Sequence, residues 1–294
     1  EPYNYPDGSP VENASRTYGG TTTIRRAIRN SINVVAVKCL EEVTPELGLQ
    51  YLDNFGFTTL AHGTEADTDA NGTVWTDANL PLALGGLTHG VTNVELCAAY
   101  AAIANQGNYI EPLYYTKILD HSGNVLIEKT SAERSVIKES TAWLLTSAME
   151  DVVKNGTGTA CQLDNMTVAG KTGTTDDYND LWFVGYTPYY TCAVWSGFDN
   201  NEKLPDDYSR DFHKDMWRKV MTRIHEGLDD KDFEMPSTVE KISVCADTGL
   251  LPRSGCSVIT EFFDVGDVPT DYCEEHFYEP EPVIPEYTYD ETII

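Results

Sequence analysis

The sequence is poor in basic residues and has no long hydrophobic run, and each absence limits what the chain can bind. Its 294 residues include 20 lysines and arginines against 47 aspartates and glutamates, which gives a formal net charge of -27 at pH 7. Phosphate backbones and anionic lipid headgroups require clustered positive charge, so nucleic acid is not an expected partner. No apolar run approaches the roughly 18 residues of a membrane-spanning helix, and the N-terminus has no signal-peptide pattern. We therefore expect an internal fragment of a longer chain.

The cysteines fall into two groups with different surroundings. Four lie among apolar residues and are predicted to be small buried hydrophobes, namely Cys39, Cys97, Cys161 and Cys192. The others, Cys245, Cys256 and Cys273, fall in a segment punctuated by glycine and proline. Cys273 is close in sequence to His276, but the remaining spacings do not form the paired knuckles of zinc sites. We therefore expect a disulfide within this segment and neither a metal nor a cofactor.

Hydrophobic periodicity predicts several helices and a group of short strands. The predicted helices cover residues 24–40, 45–55, 93–104, 140–154 and 211–227. Alternating apolar and polar residues on both sides of a turn predict a hairpin within residues 110–128. Three strands are predicted at residues 167–175, 181–187 and 190–198. Because the connections between these strands are short, the prediction is an antiparallel meander packed by helices, in a mixed α+β domain.

Composition divides the chain into three parts. Residues 1–227 form the predicted main domain, and residues 228–278 form a cysteine-bearing C-terminal extension. From residue 279 the sequence is acidic and rich in proline, so it lacks the apolar side chains that a core requires. Residues 279–294 are therefore predicted to be a disordered tail.

Lys171, Thr172, Gly173 and Thr174 form a Lys-Thr-Gly-Thr string on the first strand of the meander. The three letters Lys-Thr-Gly are a weak signal alone, because a lysine at the end of a strand is usually a solvated charge. Here an apolar segment leads into the string and a second strand follows it closely. A cation, hydroxyl groups and a position without a side chain on one strand would let an extended peptide approach the backbone and place its carboxylate.

Ser31 and Asn33 interrupt the apolar pattern of the first predicted helix with two polar groups. Taken alone, both are best explained as polar residues satisfied near a helix end. With a Lys-Thr-Gly strand in the same chain, a catalytic role for Ser31 and Asn33 becomes the favoured interpretation. Ser-x-x-Lys, Ser-x-Asn and Lys-Thr-Gly elements together are typical of serine acyltransferases that react with penicillin.

Five stretches carry a resemblance to a known family. They are RRAIRNSINVVAV at 25–37, LGGLTHGVTNVELCAAYAAIANQGNY at 84–109, GTGTA at 156–160, AGKTGTT with DLWFVGYTP and VW within 168–195, and DTGLLPRSGC with VPTDYCEEH at 247–276. From about residue 17 to 277 the chain resembles the transpeptidase domain of class A (bifunctional) penicillin-binding proteins. The resemblance implies part of the penicillin-binding transpeptidase fold, which serine β-lactamases share.

The resemblance implies peptidoglycan D,D-transpeptidation. In that reaction a serine attacks the D-Ala-D-Ala carbonyl of a stem peptide, releases D-Ala and passes the acyl group to an amine, and β-lactams imitate the donor. The catalytic residues implied here are Ser31, which relays protons, Asn33, which orients donor and nucleophile, and Lys171, which assists proton transfer to Ser31. The implied location is the extracytoplasmic face of a bacterial membrane.

The family's substrate-binding residues carry over to the Lys-Thr-Gly strand. Thr172 and Thr174 are implied to bind the terminal carboxylate, and the Thr174 N–H is implied to face the oxyanion. Gly173 lets the substrate lie against the strand. The implied partners are stem peptides ending in D-Ala-D-Ala and β-lactams.

The resembling segments lack the family's first motif. Ser-x-x-Lys should precede Ser31, yet nothing from Glu1 to Asn30 supplies it. The only such string, Ser135 to Lys138, comes after Ser31 and directly before a predicted helix, where its ends would not share a helical face. We therefore expect the nucleophile, a membrane anchor and a glycosyltransferase domain to lie upstream, and the isolated chain to be inactive.

Two other function classes remain open, and the C-terminal cysteines add one further expectation. A non-catalytic module that binds peptidoglycan or β-lactams would keep the cleft without a nucleophile. A serine β-lactamase is less favoured, because no motif for a deacylating glutamate can be placed. In an oxidising exterior, Cys256 and Cys273 are expected to form a disulfide that leaves Cys245 free.

Overall fold

A computed structural model describes residues 1–276 of the chain. Its helices are α1 (Ile24–Asn30), α2 (Asn33–Val43), α3 (Pro45–Asn54), α4 (Asn93–Ala104), α5 (Glu139–Asn155) and α6 (Phe212–Ile224). Its strands are β1 (Asn108–Ile110), β2 (Lys117–Leu119), β3 (Val125–Glu128), β4 (Glu133–Ser135), β5 (Ala169–Thr174), β6 (Leu181–Tyr186), β7 (Thr191–Ser196), β8 (Val239–Cys245) and β9 (Val258–Asp264). The mixed helix and antiparallel-sheet architecture confirms the predicted fold class.

The central sheet is the predicted meander, with strand order β5-β6-β7 and antiparallel pairing throughout. Side chains alternate between the two faces of a strand, so each face contacts different helices. On one face Tyr186 packs with Met149 of α5, and its hydroxyl lies 2.7 Å from that of Thr146. On the other face Phe183 packs against Trp217 of α6, with the ring centroids 5.0 Å apart. The sheet is therefore held between α5 on one side and α6 on the other.

The first predicted helix is two helices in the structure, and this part of the prediction was wrong. Thr23 caps α1 by accepting a hydrogen bond from the Arg26 N–H at 3.2 Å. The helix stops at Ser31, whose φ of 53° and ψ of 54° lie in the left-handed region. The Ile32 N–H returns to the Ala27 carbonyl at 3.0 Å, and α2 starts again at the next residue. A left-handed residue breaks the helix while the apolar spacing continues across it.

Helix α1 is fastened to α5 by two arginines one turn apart. Arg25 donates to the backbone oxygen of Ser147 at 2.8 Å, and Arg29 pairs with Asp151 at 3.4 Å. At the end of α5 the backbone comes very close to α1, since a Cβ added to Gly156 would lie 2.3 Å from the Arg29 carbonyl oxygen. A glycine is required at 156 for this approach. Because α5 also packs on β5, the end of α1 is held at a fixed place beside that strand.

Besides the meander, residues 1–238 contain two small two-stranded sheets. The β2–β3 hairpin confirms the hairpin predicted within residues 110–128. Strands β1 and β4 pair with each other, a contact between residues far apart in sequence that local patterns did not indicate. The segment at residues 60–80, without helical periodicity, contains the short 3-10 helix Glu65–Asp67 and leads into another, Leu80–Leu84.

The described chain divides after Val239 into two compact units, residues 1–239 and residues 240–276. This division lies further along the chain than the predicted boundary after residue 227. The reason is that the segment after α6 packs on the first unit: Phe233 contacts the ring of Tyr186, and Thr167 donates a hydrogen bond to Asp232. In the second unit β8 pairs with β9, and Leu251 forms a bridge to Tyr272. The predicted tail at 279–294 lies outside the described residues.

Membrane insertion is a separate question from the fold. Within residues 1–276, no helix is both long enough and apolar enough to cross a bilayer.

Candidate active site

The site is centred on a hydrogen bond between two residues that are far apart in sequence. The Lys171 ammonium donates to the Ser31 hydroxyl oxygen at 2.8 Å, and also to the backbone oxygen of Thr172 at 2.9 Å. Lys171 projects from β5 on the face that carries Ala169, which packs on α5. Ser31 comes from the end of α1, which α5 holds in position. Helix α5 therefore positions both Lys171 and Ser31.

Burial changes the acidity of the lysine. Removal from water disfavours the charged amine, and it lowers the pKa of Lys171 from the usual value of 10.5 to about 8. Such a lysine is still mostly protonated at pH 7, but it releases its proton more readily than an exposed lysine. It is therefore suited to donate a proton to the Ser31 hydroxyl, which can pass its own proton to a bound ligand.

Asn33 lies near Ser31 but has its own partners. Its amide nitrogen donates to the backbone oxygen of Glu12 at 2.9 Å, while the Val34 N–H donates to the Asn13 side chain at 3.1 Å. The N-terminal segment is thus anchored on the first turn of α2. The structure brings Ser31 and Lys171 into contact, and it directs the Asn33 amide to residue 12.

The Lys-Thr-Gly strand brings in a residue that sequence analysis did not assign. The Thr172 hydroxyl lies 2.7 Å from the hydroxyl of Thr157, which follows α5. Thr157 is in turn held by its N–H, which donates to the Arg29 carbonyl at 3.3 Å. The sequence signal for Thr157 is the GTGTA string at 156–160, because its first glycine, Gly156, allows the backbone to approach α1 closely. Thr157 therefore links the position of Thr172 to that of the helix that carries Ser31.

The remaining strand residues lie where a ligand could reach them. Thr174 is exposed at the end of β5, which is an edge strand of the sheet. A Cβ added to Gly173 would lie 3.1 Å from the Trp182 Cβ, so the position is tight for any larger residue. Just beyond, the Asp180 N–H donates to the Thr175 hydroxyl at 2.7 Å and Trp195 donates to the Asp180 carboxylate at 2.7 Å. These bonds fix the outer end of the strand.

The string from Ser135 to Lys138 does not form a helical motif. Ser135 is the last residue of β4, and Lys138 is the N-cap of α5. The Ser135 hydroxyl donates to the backbone oxygen of Ile137 at 3.5 Å. The two side chains are exposed on different elements, so the lysine has no helical face on which to activate the serine.

The three C-terminal cysteines differ from the predicted arrangement. Cys256 and Cys273 are free thiols in the structure. Together with Cys245, which was expected to be separate, they lie close to one ring nitrogen of His276, with all four potential ligand atoms within 4.8 Å of one another. Within residues 1–276, the group of side chains that could hold a metal is therefore this one, in the second unit.

A separate cleft of about 650 Å³ lies in the first unit. It is lined mainly by one side of α4 and by the turn between β6 and β7, including Cys97 and Tyr190. No residue assigned to the site lines it.

Comparison with known families matches nearly the whole chain. Residues 1–222 match the family described as penicillin binding protein transpeptidase domain. Residues 235–278 match the family described as penicillin-binding protein 1A, C-terminal domain.

Individual relatives agree with these matches. Penicillin-binding protein 1A of Clostridium botulinum (strain Hall) is 33% identical over 282 residues, which cover 92% of this chain and 32% of the relative. The crystal structure of penicillin-binding protein 1A from Haemophilus influenzae has a TM-score of 0.74 at 21% identity, covering 93% of this chain and 44% of that one. The PonA1 protein of Mycobacterium tuberculosis, in complex with penicillin V, has a TM-score of 0.66 at 24% identity, covering 80% and 65%.

The matches cover most of this chain but only part of each relative. The chain spans about a third of the length of the curated relatives it matches. The solved structures establish the penicillin-binding transpeptidase fold, and the transpeptidase family covers well over half of the chain. The chain therefore belongs to the penicillin-binding protein transpeptidase family, with a C-terminal domain of the penicillin-binding protein 1A type.

Proposed function

We propose that these residues form the proton-relay and substrate-binding part of a peptidoglycan D,D-transpeptidase. The observation that carries the proposal is the 2.8 Å hydrogen bond from Lys171 to Ser31, made by a lysine whose pKa is lowered to about 8. An ordinary surface lysine would have neither this partner nor this acidity. The nucleophilic serine belongs to a Ser-x-x-Lys segment of the parent protein, outside the 294 residues.

The reaction proceeds through two acyl transfers. The nucleophilic serine oxygen bonds to the carbonyl carbon of the penultimate D-Ala, and the C–N bond to the terminal D-Ala breaks. The leaving nitrogen takes a proton from the Ser31 hydroxyl, which is replenished by Lys171. The proton of the nucleophilic serine passes to the lysine of its own Ser-x-x-Lys segment. The amine of a second stem peptide then attacks the acyl-serine carbonyl and gives one proton through Ser31 back to Lys171. The C–O bond to the serine breaks, and the serine oxygen takes its proton back from the Ser-x-x-Lys lysine. Ser31 and Lys171 act in the first half as a proton-donating pair.

Substrate binding is assigned to the exposed edge of β5. An extended stem peptide can pair its backbone with an edge strand, which gives affinity without reading many side chains. The terminal carboxylate is then held by the hydroxyls of Thr172 and Thr174 beside the charge of Lys171. Gly173 has no side chain to block the approach. Asn33, on the first turn of α2, is assigned to orient the donor peptide, for which its amide exchanges the Glu12 carbonyl for the peptide.

The ligand class and the location follow from the same assignment. A β-lactam has a carboxylate and a strained amide in place of the terminal D-Ala-D-Ala, so the same strand and the same lysine serve it. The related PonA1 protein is bound to penicillin V in its structure, which supports β-lactams as ligands. Stem peptides are located outside the bacterial cytoplasmic membrane, so we assign the chain to that side.

The proposal is tested with the parent protein, including its Ser-x-x-Lys segment, and a stem pentapeptide ending in D-Ala-D-Ala plus an amine acceptor. We expect one D-Ala to be released for each cross-linked product, as measured by mass spectrometry. Binding of the peptide without release of D-Ala would instead indicate a binding module. Rapid turnover of penicillin to its hydrolysed form would indicate a β-lactamase.

A further inference from the structure

Four side chains of the second unit converge on one point. The Cys245, Cys256 and Cys273 sulfurs lie 3.4, 3.9 and 3.3 Å from Nδ1 of His276. All four potential ligand atoms lie within 4.8 Å of one another. We propose that this cluster is a structural zinc site with three thiolate ligands and one imidazole ligand.

The separations agree with tetrahedral coordination. Zinc binds sulfur at about 2.3 Å and histidine nitrogen at about 2.0 Å, so tetrahedral angles require about 3.8 Å between two sulfurs and about 3.5 Å between sulfur and nitrogen. The three distances from His276 Nδ1 scatter around the second value. A Cys₃His set without an open position is typical of structural zinc sites.

The surrounding groups orient two of the ligands. The other ring nitrogen of His276, Nε2, lies 3.4 Å from an Asp247 carboxylate oxygen. A carboxylate on the outer nitrogen directs Nδ1 and its lone pair towards a metal, an arrangement common in zinc sites. The Arg253 N–H donates to the Cys256 sulfur at 3.3 Å, as backbone amides do to thiolates.

The local backbone brings the ligands together from three separate places. Cys245 ends β8, and the turn after it closes with the Gly249 N–H donating to the Cys245 carbonyl at 2.9 Å. The Cys273 N–H donates to the Leu251 carbonyl at 2.8 Å, which places the last two ligands beside that turn. Cys256 enters from the end of the loop that precedes β9. The cluster thus joins the end of β8, the loop before β9 and the segment at residues 273–276.

The size of the unit explains why it needs a metal. Among residues 240–276, the buried hydrophobic residues are Val244, Cys245 and Cys273, and two of these are ligands. A two-stranded sheet with so small a core is marginal in water. Binding of zinc would supply the missing stability, because a preformed site does not exist in the unfolded chain. A single disulfide would use two thiols and leave the third beside the histidine without a role.

The test is the metal content of the 294-residue chain, purified in mild reductant without chelator and analysed by plasma mass spectrometry. We expect about one zinc per chain. Cobalt substitution is expected to give the visible absorption of a tetrahedral thiolate site. Cys273→Ser should lose most of the zinc, while Cys39→Ser, which changes an exposed cysteine of the first unit, should retain it.

Two results would overturn the proposal. One is a metal-free wild-type chain whose intact mass and peptide map show a disulfide between Cys256 and Cys273. The other is a metal-free chain with three reduced thiols that keeps the same hydrogen-exchange protection in β8 and β9 with and without added zinc. Because both are read on the wild-type chain, a variant that fails to fold does not obscure them. Neither depends on the transpeptidase assignment.

Discussion

Replacing Lys171 by alanine in the parent protein is expected to slow acylation by penicillin by about 10²- to 10⁴-fold, the range for loss of a positioned proton-transfer group. The substitution removes the donor to Ser31 and the charge beside the carboxylate site in one step. The second-order rate constant for labelling with a fluorescent penicillin measures the effect. Intact mass spectrometry confirms that the remaining adduct has one penicillin per chain.

The matched control is Lys203→Ala. Lys203 forms an ion pair with Asp206 in which both side chains are largely exposed, so it contributes little to stability and lies outside the proposed machinery. Labelling of this variant should equal that of the unmodified protein. A Lys171→Ala variant that folds normally and labels within a few-fold of the control would remove Lys171 from the mechanism.

The same lysine sets an expected pH dependence. The pKa of Lys171 is lowered to about 8 by burial, so its ammonium form predominates below that value and disappears above it. Since the ammonium form is the proton donor, the acylation rate constant should fall as the pH rises through about 8. The Lys171→Ala variant should lack this decline. A rate that increased through the same pH range would indicate that the neutral amine acts as a base.

The 294-residue chain by itself is expected to form no stable adduct with penicillin. Its only Ser-x-x-Lys string has Ser135 on β4 and Lys138 at the start of α5, which prevents activation of the serine. Ser31 does have a lysine at hydrogen-bond distance, but that lysine donates its proton to the hydroxyl instead of accepting one. A nucleophile requires an adjacent base. Intact mass spectrometry after incubation with excess penicillin should therefore show the unmodified mass.

Extending the chain upstream through the parent's Ser-x-x-Lys segment is the positive control. Labelling should then appear, with one adduct located on the upstream serine. Circular dichroism of the shorter chain establishes that it is folded, so a lack of labelling reflects chemistry. If the shorter chain labels and the adduct is on Ser31 or Ser135, the assigned roles are wrong.

Parts of the site were predictable because their signals are local. The β5 string Lys171 to Thr174 and the two strands after it have short connections, and a short connection between strands leaves few alternatives to a meander. The helix predicted at residues 93–104 is found as α4, and its start is fixed locally by Thr92, which accepts the Glu95 N–H at 3.2 Å. Such features depend on neighbours within a few residues.

Other parts could not be derived in this way, because they depend on contacts between distant segments. The break at Ser31 leaves the apolar spacing intact, so periodicity continued through it. Thr157 is positioned by the close approach of Gly156 to α1, a contact that exists only after α1 and α5 have packed together. The cysteine cluster is a similar case, since Cys245 joins Cys273 and His276 through a turn and a backbone bridge and not through their spacing.

The most direct test of the central claim is a double-mutant cycle between Lys171 and Ser31, read as penicillin acylation rates of the parent protein. If the lysine acts through the serine, removing the second partner costs almost nothing once the first is gone. Adding Ser31→Ala to Lys171→Ala should then leave the rate unchanged, while Lys171→Ala alone is at least as slow as Ser31→Ala because it also removes the charge beside the carboxylate site. Ser31→Ala combined with Lys203→Ala should match Ser31→Ala alone. If instead the double variant shows the product of the two single losses, the residues act independently and the proposed relay does not exist.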